Sequence, residues 1–287
     1  MLSKLTQKWS AIKLITRMDK PIGTYLLLWP TYWALWIASD GWPSFYLLLV
    51  FSLGVFVMRS AGCVINDIAD MKVDGEVERT KNRPLVIGLL SKTDAIGLFG
   101  LLIGIALGLV LTLSLQTIYL SVVALVLAFS YPFMKRYTQL PQVVLGAAFS
   151  WGMIMAFSEV QGGVPLVAWL LFSANVLWTI AYDTMYAMVD REDDLQIGVK
   201  STAILFGKYD RRIIGYIQLL VLGLLFTVGD ILAFGWPYQL SLVISAGLFT
   251  YQQLLISNRE RDKCFQAFLH NHWVGMVVFL GIFVEYL

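Results

Sequence analysis

Four side chains that offer oxygen ligands lie close together in segment 66–74. They are Asn66, Asp67, Asp70 and Asp74. If a helix runs through this segment, the spacing of four places Asn66, Asp70 and Asp74 on one face. Carboxylates this close repel one another unless a cation lies between them. The segment therefore predicts a divalent metal site, and the alternative is an ordinary solvated helix end.

A second acidic segment follows about 115 residues later. Asp183, Asp190 and Asp194 are spaced by seven and four, which predicts one shared helical face. Lys200 follows this segment as Arg79 and Arg83 follow the first. Two acidic segments, each followed by cations, suggest a duplicated unit.

Magnesium is the metal that this chemistry favours. Mg²⁺ prefers oxygen ligands and usually binds a few carboxylates together with substrate phosphate and water. Lysine and arginine can neutralise the outer phosphate oxygens. Because both segments adjoin long apolar stretches, the sequence predicts a ligand with a diphosphate head and an apolar tail.

Other cations have two interpretations each. Arg59 lies within an apolar stretch, where a charge is costly, so it either binds a ligand or pairs with an acid. Arg17 and Lys20, and likewise Lys135 and Arg136, either bind the ligand or anchor the protein at the membrane interface.

The elements that position these residues are predicted to be transmembrane helices. The chain of 287 residues is 58% hydrophobic and 14% charged, whereas soluble domains carry about a quarter charged residues. Nine apolar stretches are each long enough to cross a ~30 Å hydrocarbon core. They cover 22–38, 44–64, 95–113, 116–133, 140–158, 164–182, 213–229, 236–256 and 268–286.

The distribution of charge predicts the orientation. With nine spans, every one of the 21 lysines and arginines lies on or near a single side, Arg59 being inside a span. The positive-inside rule makes that side cytoplasmic. We therefore expect the N-terminus in the cytoplasm and the C-terminus on the opposite side. The net charge of +2 gives no reason to expect a nucleic-acid partner.

These motifs resemble those of the UbiA superfamily of intramembrane prenyltransferases. Segment 66–74 matches its NDxxDxxxD motif, segment 183–194 is similar to its second aspartate-rich motif, and segment 131–135 fits its YxxxK element. Segment 82–85 also resembles the stretch that follows the first motif. The resemblance covers nearly the whole chain.

The resemblance implies one transmembrane prenyltransferase domain over 1–287, an all-α bundle of nine helices whose central cavity opens to lipid. It implies a Mg²⁺ cofactor and a polyprenyl diphosphate substrate. The implied metal ligands are Asn66, Asp70, Asp190 and Asp194, assisted by Asp67 and Asp74. The implied diphosphate ligands are Arg79, Arg83, Tyr131, Lys135, Arg136 and Lys200.

Segments 19–23, 28–31, 131–137 and 183–188 more closely resemble the bacterial members that prenylate 4-hydroxybenzoate in ubiquinone synthesis. That resemblance implies a bacterial inner-membrane enzyme that prenylates the ring carbon ortho to the acceptor hydroxyl. Arg17 or Arg59 would hold the acceptor carboxylate, and Asp183 or Asp190 would orient the hydroxyl or take a proton. Arg136 is predicted to be catalytic together with Asp183 and Asp190.

Three other functions fit parts of the pattern. The same fold could take a naphthoate, a haem or a chlorophyllide-type ring as acceptor. A secondary transporter also combines repeated bundles with intramembrane charges, although its sites tend to lie near the bilayer midplane. A purely structural membrane protein would leave both acidic segments unexplained.

Overall fold

The protein was analysed as a computed structural model, which describes residues 2–71 and 73–287 and the side chains of 7–71 and 73–287. The described residues form helices and turns and contain no strand. The twelve α-helices are α1 Leu2–Ile15, α2 Ile22–Ala38, α3 Phe45–Asp70, α4 Lys92–Val110, α5 Leu115–Tyr137, α6 Pro141–Gln161, α7 Leu166–Val189, α8 Arg191–Ile197, α9 Thr202–Phe206, α10 Asp210–Ile231, α11 Trp236–Leu255 and α12 Arg261–Glu285.

The nine apolar stretches correspond to α2–α7 and α10–α12. Eight of these helices are long and apolar enough to cross a membrane. The remaining one, α2, has 17 residues and packs within the same bundle. The prediction of an all-α membrane bundle is thus confirmed. Several helices run further than the predicted stretches: α3 continues to Asp70, α5 to Tyr137 and α7 to Val189, and α12 begins already at Arg261.

The core lies where α2, α6, α7 and α12 meet. The rings of Trp33 and Trp178 stack there with their centroids 5.6 Å apart. Trp33 donates its indole N–H to the carbonyl of Gly275 at 2.9 Å, and Trp178 donates to Asn271 at 2.9 Å. A Cβ on Gly275 would lie 2.9 Å from Trp178 and from Trp29, so only glycine lets the helices approach this closely. The two stacked indoles are therefore both hydrogen-bonded, whereas the buried indole N–H groups of Trp29 and Trp36 in the same core have no partner among the described residues.

Helices α4 and α5 are the least covered by the rest of the chain. Only 6% of the α4 span and 11% of the α5 span are buried, against 33–56% for the other spans. Their outward side chains are apolar. The two helices therefore form a thin wall with one side available to hydrocarbon.

Two acids on the side opposite the acidic segments cap helix starts. Glu159 accepts the backbone N–H of Ser114, the residue before α5, at 2.9 Å. Glu285 accepts the backbone N–H groups of Gly235 and Tyr238 at 2.9 and 3.0 Å, at the start of α11. A carboxylate at a helix N-terminus satisfies free donors and complements the helix dipole.

Glu285→Gln is expected to lower the free energy of unfolding by about 1–2 kcal/mol, since the amide keeps one acceptor oxygen and loses the charge. Thermal unfolding of the purified protein in detergent checks this. Asp230→Asn is the control, because Asp230 is exposed and its side chain makes no hydrogen bond to a described residue. Equal thermal midpoints for the two variants would contradict the capping role.

Candidate active site

The first acidic segment spans the end of α3. The helix continues out of its apolar stretch and ends at Asp70, so Asn66, Asp67 and Asp70 lie on its last turn. The chain then turns: the backbone N–H groups of Val73 and Asp74 both donate to the carbonyl of Asp70, at 2.8 and 2.9 Å. Asp74 thus lies beyond the helix, but the turn that follows keeps it on the side of Asp67, where Arg83 binds both carboxylates.

The second acidic segment bends at Asp190. Helix α7 ends at Val189, and Asp190 has φ −97° and ψ 4° before α8 begins. The backbone N–H of Asp194 donates to the carbonyl of Asp190 at 2.8 Å. The predicted single helical face for Asp183, Asp190 and Asp194 is wrong, because this junction interrupts the helix.

Cations meet the first segment from three other parts of the chain. Arg83 Nη1 lies 3.0 Å from Asp67 and 2.5 Å from Asp74. Arg17 Nη2 lies 2.9 Å from Asp67, and Lys135 pairs with Asp70. All three aspartates are buried, which carboxylates tolerate when they are paired and hydrogen-bonded.

Arg79 connects the two acidic segments. It lies in the connection after α3, and its guanidinium binds both carboxylate oxygens of Asp190 at 2.5–3.0 Å. The same guanidinium lies over the ring of Tyr186, 4.6 Å from the ring centroid. Arg79 and Asp190 are 111 residues apart in sequence. The two acidic segments therefore face each other across one arginine.

A cavity of about 1010 Å³ opens between them. Its polar end contains nine of the predicted site residues, namely Arg17, Arg59, Asn66, Asp67, Arg79, Arg83, Tyr131, Asp183 and Asp190. Its other walls are largely apolar and extend to Phe51 and Leu113, close to the opposite ends of α3 and α4. The cavity thus has the amphiphilic character that the sequence predicts for the ligand.

Six predicted site residues lie outside the cavity lining: Asp70, Asp74, Lys135, Arg136, Asp194 and Lys200. Lys135 and Arg136 belong to the last turn of α5, although the predicted apolar stretch ends at residue 133. Lys135 pairs with Asp70, and Arg136 donates to the carbonyl of Ala69 at 2.7 Å. Lys200 is half-buried and makes no hydrogen bond or ion pair to a described residue.

Arg59 binds backbone carbonyls. Its Nη1 donates to Thr16 at 2.8 Å and its Nη2 to Lys20 at 3.4 Å, in the connection between α1 and α2. It forms no ion pair with an acid among the described residues, so the predicted alternative of an acid partner is wrong. A Cβ on Gly23 would lie 2.6 Å from its Nε, so glycine leaves room for the guanidinium.

Several lining residues were not predicted from the sequence. Arg261, Phe265 and Phe268 of α12 line the cavity beside Tyr186. The rings of Tyr186 and Phe268 are 4.6 Å apart. The basic residues before the ninth apolar stretch could have pointed to this part of the site. Nothing in the sequence, however, shows that the start of α12 lies next to the acidic segments.

The donor set fits a hard divalent cation. Within the described ranges, no three His, Cys, Asp or Glu side chains lie close enough together to ligate a single ion. A metal here would thus need further oxygens from substrate or water, as Mg²⁺ usually does. Burial, with the charge of Asp190 nearby, raises the pKa of Asp194 to about 7. A cation would favour its charged form at neutral pH.

Arg79→Ala is expected to raise the KM for a diphosphate substrate about tenfold to a hundredfold, the equivalent of losing one charge-assisted hydrogen bond. Arg79→Lys should recover only part of the loss, because an ammonium cannot bind two oxygens in a fixed fork. Steady-state kinetics with varied donor checks both. The control is Arg212→Ala, since Arg212 is exposed and its side chain makes no hydrogen bond to a described residue. A donor KM in Arg79→Ala equal to that of the control would contradict this role.

Comparison with known families decides the class of protein. The profile of the UbiA prenyltransferase family matches residues 27–275, most of the chain. The chain belongs to the UbiA prenyltransferase family. UbiA membership accounts for both acidic segments, so a transporter or a structural membrane protein is no longer needed to explain them.

Individual relatives agree with the UbiA assignment. The chain is 77% identical, over the full length of both chains, to a Colwellia psychrerythraea protein named 4-hydroxybenzoate octaprenyltransferase. It shares its fold with the apo structure of a UbiA homologue from Aeropyrum pernix K1, with a TM-score of 0.80 and 24% identity over 92% of this chain and 98% of that one. A UbiA homologue from Archaeoglobus fulgidus, solved with DMAPP and Mg²⁺, has a TM-score of 0.72 and 15% identity over 96% of this chain and 98% of that one.

Proposed function

We propose that this UbiA enzyme transfers an octaprenyl group from octaprenyl diphosphate to 4-hydroxybenzoate, in ubiquinone biosynthesis, with Mg²⁺ as cofactor. The observation that carries the proposal is the Arg79–Asp190 contact, because it brings the two acidic segments together at the polar end of an apolar cavity. The printed name of the Colwellia relative supports the acceptor and the chain length.

The residues that would hold Mg²⁺ come from both segments: Asn66, Asp67, Asp70 and Asp74 from the first, and Asp190 and Asp194 from the second. The DMAPP and Mg²⁺ bound to the Archaeoglobus homologue support a divalent metal at such a site. When bound, the ion would neutralise charge that develops on the departing diphosphate.

The diphosphate would lie among the cations that now pair with these acids. Arg79 and Arg83 enter from the connection after α3, and Lys135 and Arg136 from the last turn of α5. Tyr131 lies on α5 and lines the cavity, and Lys200 follows α8. Preorganised charges of this kind stabilise the anionic leaving group as the allylic C–O bond breaks.

The acceptor would enter beside Arg17 and Arg59, either of which can bind its carboxylate. As the C–O bond breaks, pyrophosphate leaves and an allylic cation remains; the ring carbon ortho to the hydroxyl then forms the new C–C bond. Asp183 or Asp190 accepts the ring proton, directly or through the hydroxyl, and aromaticity is restored. Arg136, next to Lys135, would act together with Asp183 and Asp190 as a catalytic residue. Both aspartates line the cavity, as this role requires.

The cavity walls exclude water, which would otherwise quench the cation. Helices α4 and α5 line the cavity and are little covered by the rest of the chain, so the polyprenyl tail would reach membrane lipid on this side. The positions of the basic residues support an inner-membrane orientation with the acidic segments and the N-terminus in the cytoplasm, and the C-terminus on the opposite side.

Mass analysis of the product tests the proposal. Purified protein in lipid, given octaprenyl diphosphate, Mg²⁺ and 4-hydroxybenzoate, should yield octaprenyl-4-hydroxybenzoate and pyrophosphate. A dihydroxynaphthoate, a haem and a chlorophyllide offered in parallel should give no prenylated product. Transfer to one of these rings in preference to the benzoate, or no transfer at all, would contradict the proposal.

A further inference from the structure

The corner between α7 and α8 carries acids of the proposed site but has little hydrophobic support. Helix α8 has seven residues and buries none of them. A helix of two turns is not stable by itself, and surface helices usually depend on an apolar face packed on the core. Asp190 is itself buried and bound by Arg79, but contacts other than burial must fix the orientation of α8, which carries Asp194.

Charged contacts to the outer side of this corner supply that support. Arg191, the residue directly after Asp190, pairs with Asp210 at the start of α10. Asp210 is fully buried and also binds Arg259, whose Nε and Nη2 lie 3.1 and 2.8 Å from its Oδ1. We refer to Arg191, Asp210 and Arg259 as the Asp210 cluster.

The Asp210 cluster joins three separate parts of the chain. Arg259 lies between α11 and α12 at φ +57°, an uncommon conformation for a residue other than glycine, and it also donates to the carbonyl of Lys208 at 2.9 Å. Asp210 further accepts the backbone N–H of Arg211 at 2.6 Å. None of the three cluster residues lines the cavity.

A second contact holds the same corner at α12. Arg261, which does line the cavity, lies 2.9 Å from Glu192 and 3.2 Å from Asp193 of α8. In each pair at least one side chain is exposed to solvent, so each pair alone contributes little to the free energy of folding. The buried Asp210 cluster is the stronger link, because removing one partner from a buried ion pair leaves uncompensated charge.

From this arrangement we propose that Asp210 is a positioning residue, which fixes the α7–α8 corner through Arg191 and so presents Asp190 and Asp194 to the metal and diphosphate. The proposal rests on the proposed function in one respect only, that these two aspartates bind metal. The role is assigned to a carboxylate that neither lines the cavity nor belongs to either acidic segment.

Asp210→Asn should weaken metal binding while the rest of the bundle stays folded. Residues that orient metal ligands typically contribute about tenfold to a hundredfold in affinity, and we expect a loss in that range. The first readout is Mn²⁺ binding in the presence of inorganic pyrophosphate, followed by electron paramagnetic resonance of the free ion. The second is the Mg²⁺ concentration for half-maximal transfer, which should rise by a similar factor, with activity partly regained at high Mg²⁺.

Glu285→Gln is the matched control. Glu285 also joins two parts of the chain, because it accepts the backbone N–H groups of Gly235 and Tyr238, but it lies on the opposite side of the bundle. It should lower thermal stability and leave Mn²⁺ binding unchanged. If Asp210→Asn does not fold, Arg259→Lys serves instead, since it keeps the charge and loses the forked contact. Its expected shift is in the same direction.

Unchanged Mn²⁺ affinity in a folded Asp210 or Arg259 variant would overturn the proposal, and so would an equal loss in Glu285→Gln. The two proposals fail differently. If the parent protein binds Mn²⁺ and the variant binds it less tightly, but neither transfers octaprenyl to 4-hydroxybenzoate, the positioning role stands and the proposed function fails.

Discussion

Asp190→Asn is expected to reduce the rate of prenyl transfer about a thousandfold, since a metal ion at a developing anionic charge supplies several kcal/mol and each 1.4 kcal/mol is tenfold in rate. Asp190 is the acid where the two segments meet: it lines the cavity and binds Arg79 with both oxygens. The amide keeps the shape of the side chain but loses the negative charge, which binds Arg79 and would bind the metal.

Single-turnover transfer to 4-hydroxybenzoate measures this effect separately from donor binding. Asp70→Ala, at the end of α3, should show a loss of similar size, because Asp70 belongs to the opposing segment. The control is Glu76→Gln, whose exposed side chain lies two residues beyond Asp74 and makes no hydrogen bond to a described residue. Near-normal turnover in either aspartate variant would show that the acidic segments do not carry the metal chemistry.

Removal of divalent metal is expected to stop the reaction. In EDTA, transfer of radiolabelled prenyl groups should fall to background, because the buried acids and the diphosphate then have no cation between them. Added Mg²⁺ should restore the rate. Ca²⁺ should restore it poorly, since it takes more ligands at longer distances than Mg²⁺ does.

The same EDTA-treated sample gives the control. Its thermal midpoint should stay close to that of the untreated protein without substrate, which separates loss of chemistry from unfolding. Full transfer in the presence of EDTA would contradict a metal-dependent mechanism for this chain.

The membrane architecture could be predicted from the sequence because two independent patterns agree. Apolar stretches of membrane length gave the nine long helices, and the one-sided distribution of lysine and arginine required the same count. Helix ends were predicted less well. Helix α5 continues to Tyr137, since polar residues end an apolar stretch but do not end a helix.

The structure brings the two acidic segments together, but neither segment is the single continuous helix that its spacing predicted. Helical spacing predicted single faces for Asp74 and for Asp194, and both residues lie beyond a break in the helix. Tertiary contacts accompany both breaks: Arg83 binds Asp74 and Asp67, and Arg79 binds Asp190 at the junction. Contacts between residues far apart in sequence leave no periodic signal along the chain.

The Asp210 cluster shows the same limit. Its partners lie 19 and 49 residues from Asp210, in connections whose charges the sequence assigned only to the cytoplasmic side. The sequence predicts on which side of the membrane these charges lie, but it does not predict which of them pair. The reason is that pairing depends on how the ends of α7, α10 and α12 pack together.

A structure determined with Mg²⁺ and a prenyl thiodiphosphate, which resists ionisation, would test the central idea most directly. We predict metal density between the diphosphate and carboxylates of both segments, with Asp70 or Asn66 on one side and Asp190 or Asp194 on the other. We also predict that Arg79 and Lys135 contact phosphate oxygens and that the prenyl chain follows the apolar wall towards Phe51. Metal bound by one segment alone, or a diphosphate bound away from both, would contradict the account.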